Sequence, residues 1–229
     1  MPTILCIETA TKLCSVALVR SDQTLASRDL EGEKHVHAEK VNVFIEAVVQ
    51  EAGLAIGDLD AVAVGIGPGS YTGLRIGVSA AKGLCFALGI PIIGIGTLDT
   101  LAAAALMGDT PVGDRLWPMI DARRMEVFTQ LVTREGTVLS ATAPAVLDTN
   151  WANSHAPATV FGDGADKAIT LWEQVEGINH VAGVRPWASA MRTIAEHRFR
   201  ARAFDDLAYL VPNYGKAANV TRSAKSTTP

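Results

Sequence analysis

The stretch DAVAVGIGPGSYTGLRIG, residues 60–77, joins an apolar run to a glycine-rich turn and then to a helical pattern. The run over 60–66 has the length of a strand and is apolar from Ala61 onward, as in strands that are covered on both faces. A second buried strand is predicted over 90–97, beyond the helix that the turn opens. This alternation of strand, helix and strand predicts an α/β fold with a mixed sheet.

Further elements precede this stretch. Residues 3–9 and 14–20 are apolar runs joined by a short loop, which predicts a buried hairpin, and residues 24–29 predict a third strand. Between His37 and Ala52 the apolar residues recur at helical spacing, so a helix is predicted there.

The second half of the chain repeats this order of elements. The predicted segments are strand, acidic turn and strand over 117–132, a third strand over 137–144, a strand and helix start over 159–168, and a helix over 187–200. Sequence identity between the halves is not visible, so the predicted duplication rests on the order of the elements.

Gly and Pro cluster in residues 108–115, which is typical of a domain boundary. We therefore predict one α/β domain over residues 1–107 and a second over 108–202. Residues 203–216 are expected to return to the first domain, with a last strand near 207–214. The end of the chain, 217–229, lacks apolar periodicity and is predicted to be a disordered tail.

Composition excludes several classes of protein. With 48% hydrophobic and 19% charged residues among 229, the chain is neither disordered nor fibrous. A net charge of −4 disfavours binding to nucleic acid or an anionic membrane by the chain alone. Cys6, Cys14 and Cys85 lie in apolar runs, so reduced, buried thiols are expected. Without a recognisable signal peptide or membrane span, a cytoplasmic location is expected.

The glycine-rich turn has two interpretations. Free N–H groups at the start of the helix could bind an anion, although no Lys-Ser or Lys-Thr follows as in a Walker A loop. Alternatively, the glycines serve a tight turn and close helix packing, and a hydroxyl caps the helix. The residues concerned are Gly67, Gly69, Gly73 and Gly77, with Ser70 or Thr72 as the cap.

Two helices carry more apolar surface than one sheet needs. The helix over 72–88 has a single polar stripe of Arg75, Ser79 and Lys82, and the helix over 37–52 has a wide apolar arc. Either the core is thick or these helices form a protein-binding surface. The candidate partner-binding residues are Val41, Phe44, Ile45, Val48, Leu74, Val78, Ala81 and Cys85.

Two acidic hairpin turns are candidates for nucleotide or phosphate binding. Glu8, Thr9 and Thr11 lie in the first turn, and Asp121 lies in the corresponding turn of the second half. Facing acidic turns can clasp a metal–phosphate group between two domains. Ordinary turn chemistry also explains Asp and Thr at such positions.

Other polar clusters give little support to a catalytic or metal site. His35 and His37 alternate on a short segment, but no third ligand is suggested by spacing, so exposed histidines are favoured. The basic residues Arg192, Arg198, Arg200 and Arg202 could meet RNA, although an ordinary solvated helix face explains them too. We predict neither catalytic residues nor a metal site.

Four segments together closely resemble the bacterial TsaB (YeaZ) family and follow one another in the family's order. They are ILCIETAT (4–11), CSVALV (14–19), GPGSYTGLRIG (67–77) and IDARRMEVF (120–128). The resemblance implies two related domains of the actin/Hsp70-like (ASKHA, RNase H-like) α/β fold, with mixed sheets flanked by helices.

The resemblance also implies a function. The expected role is a non-catalytic scaffold that binds and stabilises TsaD for threonylcarbamoyl transfer to the tRNA adenosine next to the anticodon. TsaE is the implied partner in a ternary complex, tRNA is met only through the complex, and two copies pair when TsaD is absent. No cofactor is expected in the isolated chain, while ATP or ADP and a metal are expected on the partner subunits.

TsaD itself carries a His-x-x-x-His metal motif, and the aligned positions here are Thr97 and Leu101, of which leucine cannot bind a metal. Two rival functions stay open. One is an ATP-dependent phosphotransferase or carbamoyltransferase of the same fold, which would bind nucleotide between Glu8-Thr9 and Asp121. The other is a glycopeptidase, against which the residues at 97 and 101 argue.

Overall fold

The computed structural model describes residues 1–32, 36–108 and 112–215 of the chain. The predicted tail over 217–229 and His35 lie outside the described residues. Among the described residues, no helix is both long and apolar enough to cross a bilayer.

The first half forms a five-stranded mixed sheet in the order β3-β2-β1-β4-β5. Its strands are β1 (Thr3–Glu8), β2 (Leu13–Arg20), β3 (Gln23–Glu31), β4 (Ala61–Gly67) and β5 (Ile92–Gly96). The first three pair antiparallel, whereas β4 and β5 join parallel to β1. Three helices accompany this sheet: α1 (Val36–Glu51), α2 (Tyr71–Leu88) and α3 (Thr97–Met107).

The second half repeats the topology. Its main path is β11-β10-β6-β7-β9, in which β6 and β7, then β7 and β9, pair antiparallel and β10 and β11 add in parallel. The strands are β6 (Arg115–Asp121), β7 (Glu126–Thr129), β8 (Val132–Thr133), β9 (Ala143–Val146), β10 (Ala158–Phe161) and β11 (Ile178–Val181). The helices are α4 (Thr149–His155), α5 (Asp163–Asp166), α6 (Ile169–Trp172) and α7 (Arg192–Arg200). The duplication expected from the order of elements is therefore confirmed.

Two predicted strands are wrong. The third strand of the second half is β9 and not 137–144, because a tight turn at Gly136 (φ +82°) leads into an exposed loop. Val138 and Leu139 in that loop are 48% and 58% exposed, so their apolar character misled the prediction. No strand forms over 207–214, where the chain is irregular.

Each sheet is covered on one face by a helix from the other half. α3 follows β5 in the chain, yet Leu98 and Leu101 pack in a core with Phe128 and Phe161 of the second sheet. Reciprocally, Met191 and the start of α7 cover the first sheet. This exchange means that neither sheet is complete without the other half, because a bare apolar face is costly in water. The division into two domains at residue 108 stays a prediction.

The exchange predicts that the two halves unfold together. Leu5→Ala removes a fully buried side chain from the first core and should cost about 2–5 kcal/mol. Three tryptophans, Trp117, Trp151 and Trp172, report on the core of the second half. Denaturant titrations should therefore show the same lowered midpoint by tryptophan fluorescence and by far-UV circular dichroism.

The control is Leu30→Ala in the same sheet, where the side chain is 39% exposed and the loss should be under about 1 kcal/mol. An unchanged fluorescence midpoint in Leu5→Ala, beside an earlier transition by circular dichroism, would contradict the coupling.

Candidate functional site

The glycine-rich turn leads into α2, and a hydroxyl group caps the start of this helix, as one of the two interpretations expected. Ser70 is the N-cap, since its Oγ accepts a hydrogen bond from Gly73 N at 3.2 Å. Gly89 ends the helix in the left-handed conformation (φ +66°), which suits a residue without a Cβ. Of the two predicted caps, Ser70 is therefore the one used.

The start of α2 lies directly against the first hairpin turn. Ala10 O accepts from Ser70 N at 2.6 Å, and Thr9 Oγ1 donates to Gly73 O at 2.8 Å. A Cβ on Gly69 would lie 2.3 Å from Ala10 O, and one on Gly73 would lie 2.1 Å from Thr9 O. A Cβ on Gly77 would lie 2.3 Å from Thr9 Oγ1. These distances are too short for any side chain, so the close-packing interpretation of the glycines is confirmed.

The predicted phosphate site does not appear as an open site. Glu8 and Thr9 are fully buried and Thr11 is nearly so, because α2 covers the turn that carries them. Asp121 lies in the exposed turn of the other half, where its carboxylate accepts from Arg123 N at 2.8 Å and pairs with Lys167. The first turn is therefore occupied by protein contacts in the place where a phosphate would need room.

Glu8 is a buried acid held by backbone. Its Oε1 accepts from Thr9 N and Ala10 N, each at 2.8 Å, while Oε2 has no hydrogen-bond partner within the described structure. The carboxyl group also lies against Gly65, where a Cβ would come within 2.4 Å of Oε2. Burial raises the pKa of Glu8 to about 7, despite the two backbone hydrogen bonds that lower it.

The described parts of the chain contain no cluster of side chains that could bind a metal ion. No group of three or more His, Cys, Asp and Glu side chains lies close enough to hold an ion there. His37 Nε2 lies 3.1 Å from Leu13 O, and burial lowers the pKa of this histidine. Thr97 is buried at the start of α3, and Leu101 is part of the second core.

The predicted partner-binding residues lie mainly on the covered face of their helices. Val41, Ile45, Val48, Leu74, Val78, Ala81 and Cys85 are at most 5% exposed in the core between α1, α2 and the first sheet, and Phe44 packs against that core. Side chains buried in the chain's own core offer little surface to a partner, although Val41 and Val78 also line grooves beside α2. Helical periodicity identified the apolar face but did not indicate what covers it.

The opposite face of the two helices is exposed and partly apolar. Val43, Tyr71 and Phe86 are 54%, 51% and 83% exposed. A groove of about 640 Å³ separates α1 from α2 on this side. Its lining residues are Ala38, Val41, Asn42, Tyr71, Thr72, Arg75, Ile76, Ser79 and Ala80. We call this surface, with Val43 and Phe86, the α1–α2 face.

The polar stripe of α2 binds the chain's own C-terminal segment, residues 205–215. Arg75 Nε donates to Tyr214 Oη at 3.0 Å, and its guanidinium lies 4.1 Å from the centre of the Tyr71 ring. Lys82 Nζ donates to the carbonyls of Ala208 and Leu210 at 3.0 and 3.3 Å. Sequence reasoning missed this role, since only the lack of an acidic partner in the helix hinted at it.

The basic run near α7 is largely neutralised within the chain. Arg192 Nε lies 3.0 Å from Asp22 Oδ1, Arg198 Nη2 lies 3.1 Å from Asp205 Oδ2, and Arg200 Nη2 lies 2.6 Å from Glu196 Oε1. These ion pairs favour the interpretation as an ordinary protein surface over an RNA-binding face.

Comparisons with known proteins agree with this architecture. Residues 31–170 match the family model described as TsaD: tRNA N6-adenosine threonylcarbamoyltransferase. A relative from Haemophilus influenzae, named tRNA threonylcarbamoyladenosine biosynthesis protein TsaB, is 35% identical over 133 residues. That match covers 58% of this chain and 55% of the relative. The chain belongs to the TsaB (YeaZ) family. It spans about half the length of the curated relatives that it matches.

Solved structures support the same family and fold. YeaZ from Pseudomonas aeruginosa superposes with a TM-score of 0.75 at 27% identity, covering 93% of this TsaB-family chain and all of that one. An inorganic polyphosphate/ATP-glucomannokinase from Arthrobacter has a TM-score of 0.51 at 13% identity over 86% of this chain and all of its own, which shows the fold alone. The predicted actin/Hsp70-like α/β class, with mixed sheets flanked by helices, is confirmed.

The packing of α2 on the hairpin turn predicts that two glycines of this helix differ in their tolerance of alanine. Gly73→Ala places a methyl group against Thr9 O and should destabilise the chain by about 1–3 kcal/mol. Gly83→Ala is the matched control, because nothing lies within 4 Å of its Cβ and alanine favours a helix by about 1 kcal/mol. Thermal and denaturant unfolding measure the stability of the two variants relative to the wild type. Equal effects of the two substitutions would contradict the close-packing explanation.

Glu8 predicts a pH dependence of stability. Because burial raises its pKa from 4.5 to about 7, the folded chain holds a proton in this window that the unfolded chain releases. The contribution of Glu8 is therefore fully present below pH 4.5 and is lost as pH rises through about 7.

Glu8→Gln removes this titration while keeping the acceptor for Thr9 N and Ala10 N. The stability of the wild type relative to Glu8→Gln should fall by up to about 3 kcal/mol from below pH 5 to above pH 7, measured by urea unfolding. A difference between the two proteins that is constant with pH would show that Glu8 does not titrate abnormally.

Proposed function

We propose that this chain is a non-catalytic scaffold subunit that binds and stabilises the TsaD catalytic subunit for threonylcarbamoyl transfer to the tRNA adenosine next to the anticodon. Membership of the TsaB family and the names of the relatives support the pathway. The observation that carries the scaffold role is the exposed α1–α2 face.

This face has the features of a docking surface for helices. It exposes the large apolar side chains of Val43, Tyr71 and Phe86 to water, and burying them against a partner would be favourable. The groove between the helices is lined partly by the small residues Ala38 and Ala80, so a ridge of side chains from another helix can enter it.

The rest of the chain supports a role without turnover. The hairpin turn at Thr9 is filled by α2, and Glu8 is buried beneath it. At the positions that align with the TsaD metal motif, Thr97 is buried and Leu101 packs in an apolar core, so these side chains do not fit a metal site.

The same proposal assigns the partners and cofactors. TsaE joins the complex of the two subunits, and tRNA reaches this chain only through that complex. ATP or ADP and the metal belong to the partner subunits, and the assembly works in the cytoplasm. Without TsaD, the α1–α2 faces of two copies pair about a two-fold axis.

An ATP-dependent phosphotransferase or carbamoyltransferase is the alternative. It needs a nucleotide between the turns of Glu8 and Asp121, and the contact between Thr9 and Gly73 disfavours it. Calorimetric titration of the isolated chain with ATP and Mg²⁺ distinguishes the two functions. Saturable binding that is lost in Asp121→Asn would favour the enzyme.

The scaffold role predicts the effect of one surface charge. Val43→Asp should weaken TsaD binding at least about tenfold, because it places a carboxylate in an apolar contact. Light scattering with size-exclusion chromatography should show the wild type changing from a homodimer to a one-to-one complex with TsaD. Isothermal titration gives the affinities of wild type and variant.

Val146→Asp is the matched control, since Val146 is 61% exposed on β9 of the other half and lies outside the face. A wild-type chain that stays monomeric and ignores TsaD would overturn the scaffold role. Equal affinities of the two variants would show that the α1–α2 face is not the docking surface.

A further inference from the structure

A second groove runs along α2 on the side away from α1. It measures about 580 Å³ and lies between α2 and the C-terminal segment 205–215. Its lining residues are Arg75, Val78, Ser79, Lys82, Leu210, Val211, Pro212 and Tyr214. Arg75 and Ser79 line both grooves, so the two grooves adjoin along α2.

The C-terminal segment is a fixed wall of this groove. Asp205 Oδ2 accepts from Gly94 N at 2.7 Å, and Asn213 N donates to Ile66 O at 2.6 Å. Leu210 lies between these anchors in the core of the first half. The same anchors leave Tyr209 and Val211 81% and 68% exposed, so the segment presents apolar side chains from a held backbone.

The groove carries positive charge that the residues described in the structure do not neutralise. Arg75 and Lys82 bind a phenol, an aromatic ring and carbonyl oxygens, all of which are neutral. None of the residues that line the groove is acidic, and α2 contains no Asp or Glu. By contrast, Arg192, Arg198 and Arg200 each pair with a carboxylate. In a chain of net charge −4, two cations on one groove whose lining residues include no acid favour an acidic partner.

We propose that this groove receives an amphipathic helix of the TsaD subunit, with carboxylates facing Arg75 and Lys82. The C-terminal segment is then the second wall of the docking site. The inference rests on the proposed function and extends its surface. The aliphatic wall of Val211, Leu210 and Pro212 favours the apolar side of a helix over a sugar–phosphate backbone.

Substitutions at Val211 test both the apolar contact of this residue with TsaD and the negative charge of the partner helix. Val211→Asp should weaken TsaD binding at least about tenfold, since it repels the carboxylates and removes an apolar contact. Val211→Lys also removes the apolar contact, but its positive charge attracts the carboxylates. This variant should therefore bind TsaD more tightly than Val211→Asp does. Val146→Asp is again the exposed-valine control, and thermal unfolding checks that each variant is folded.

The dependence of TsaD binding on salt concentration tests whether the cations of the groove face carboxylates. Lys82→Gln should weaken binding at low ionic strength and flatten the dependence of affinity on salt concentration, because one cation no longer meets a carboxylate. An unchanged salt dependence in Lys82→Gln would overturn the acidic nature of the partner helix.

The outcomes separate this inference from the scaffold proposal. Weakening by both Val43→Asp and Val211→Asp supports it. Weakening by Val43→Asp alone overturns the second groove and leaves the scaffold role intact, whereas no binding of TsaD by the wild type overturns both. Transfer RNA binding by the isolated chain that Val211→Asp abolishes, with TsaD binding unchanged, would assign the groove to RNA and also overturn the inference.

Discussion

The architecture depends on the contact between the first hairpin turn and the start of α2. The backbone oxygens of Thr9 and Ala10 approach Gly73 and Gly69 so closely that no side chain fits between them. Hydrogen bonds from Ser70 N to Ala10 O and from Thr9 Oγ1 to Gly73 O hold the contact. A loop that could have surrounded an anion is thereby used to position a helix on its sheet.

The same contact separates the two faces of α2. With Gly73 and Gly77 pressed on the turn, Leu74, Val78 and Ala81 enter the core. The polar stripe and Phe86 then face outward, where Arg75 and Lys82 hold the C-terminal segment. One helix therefore packs on the sheet, anchors the end of the described chain and forms the ridge between two surface grooves.

Burial of Glu8 follows from this packing. Glu8 precedes the turn, and its carboxyl group is enclosed between Gly65 and the backbone N–H groups of Thr9 and Ala10. Burial raises its pKa, because the charged form loses its water. The group suits a structural role within the turn better than the holding of a metal–phosphate. The exchange of α3 and α7 between the sheets joins this packed half to the other.

The α/β class, the repeated element order and the family could be predicted from the sequence, because apolar periodicity and the motifs at 4–11, 67–77 and 120–128 are local patterns. The sequence also placed the capping residue and the packing glycines within one short segment. Which face of each helix belongs to the core depends on the three-dimensional packing, since periodicity marks an apolar face without showing what covers it. The C-terminal segment on Arg75 and Lys82, and the burial of Glu8, likewise depend on contacts between residues far apart in the chain, which no local pattern encodes.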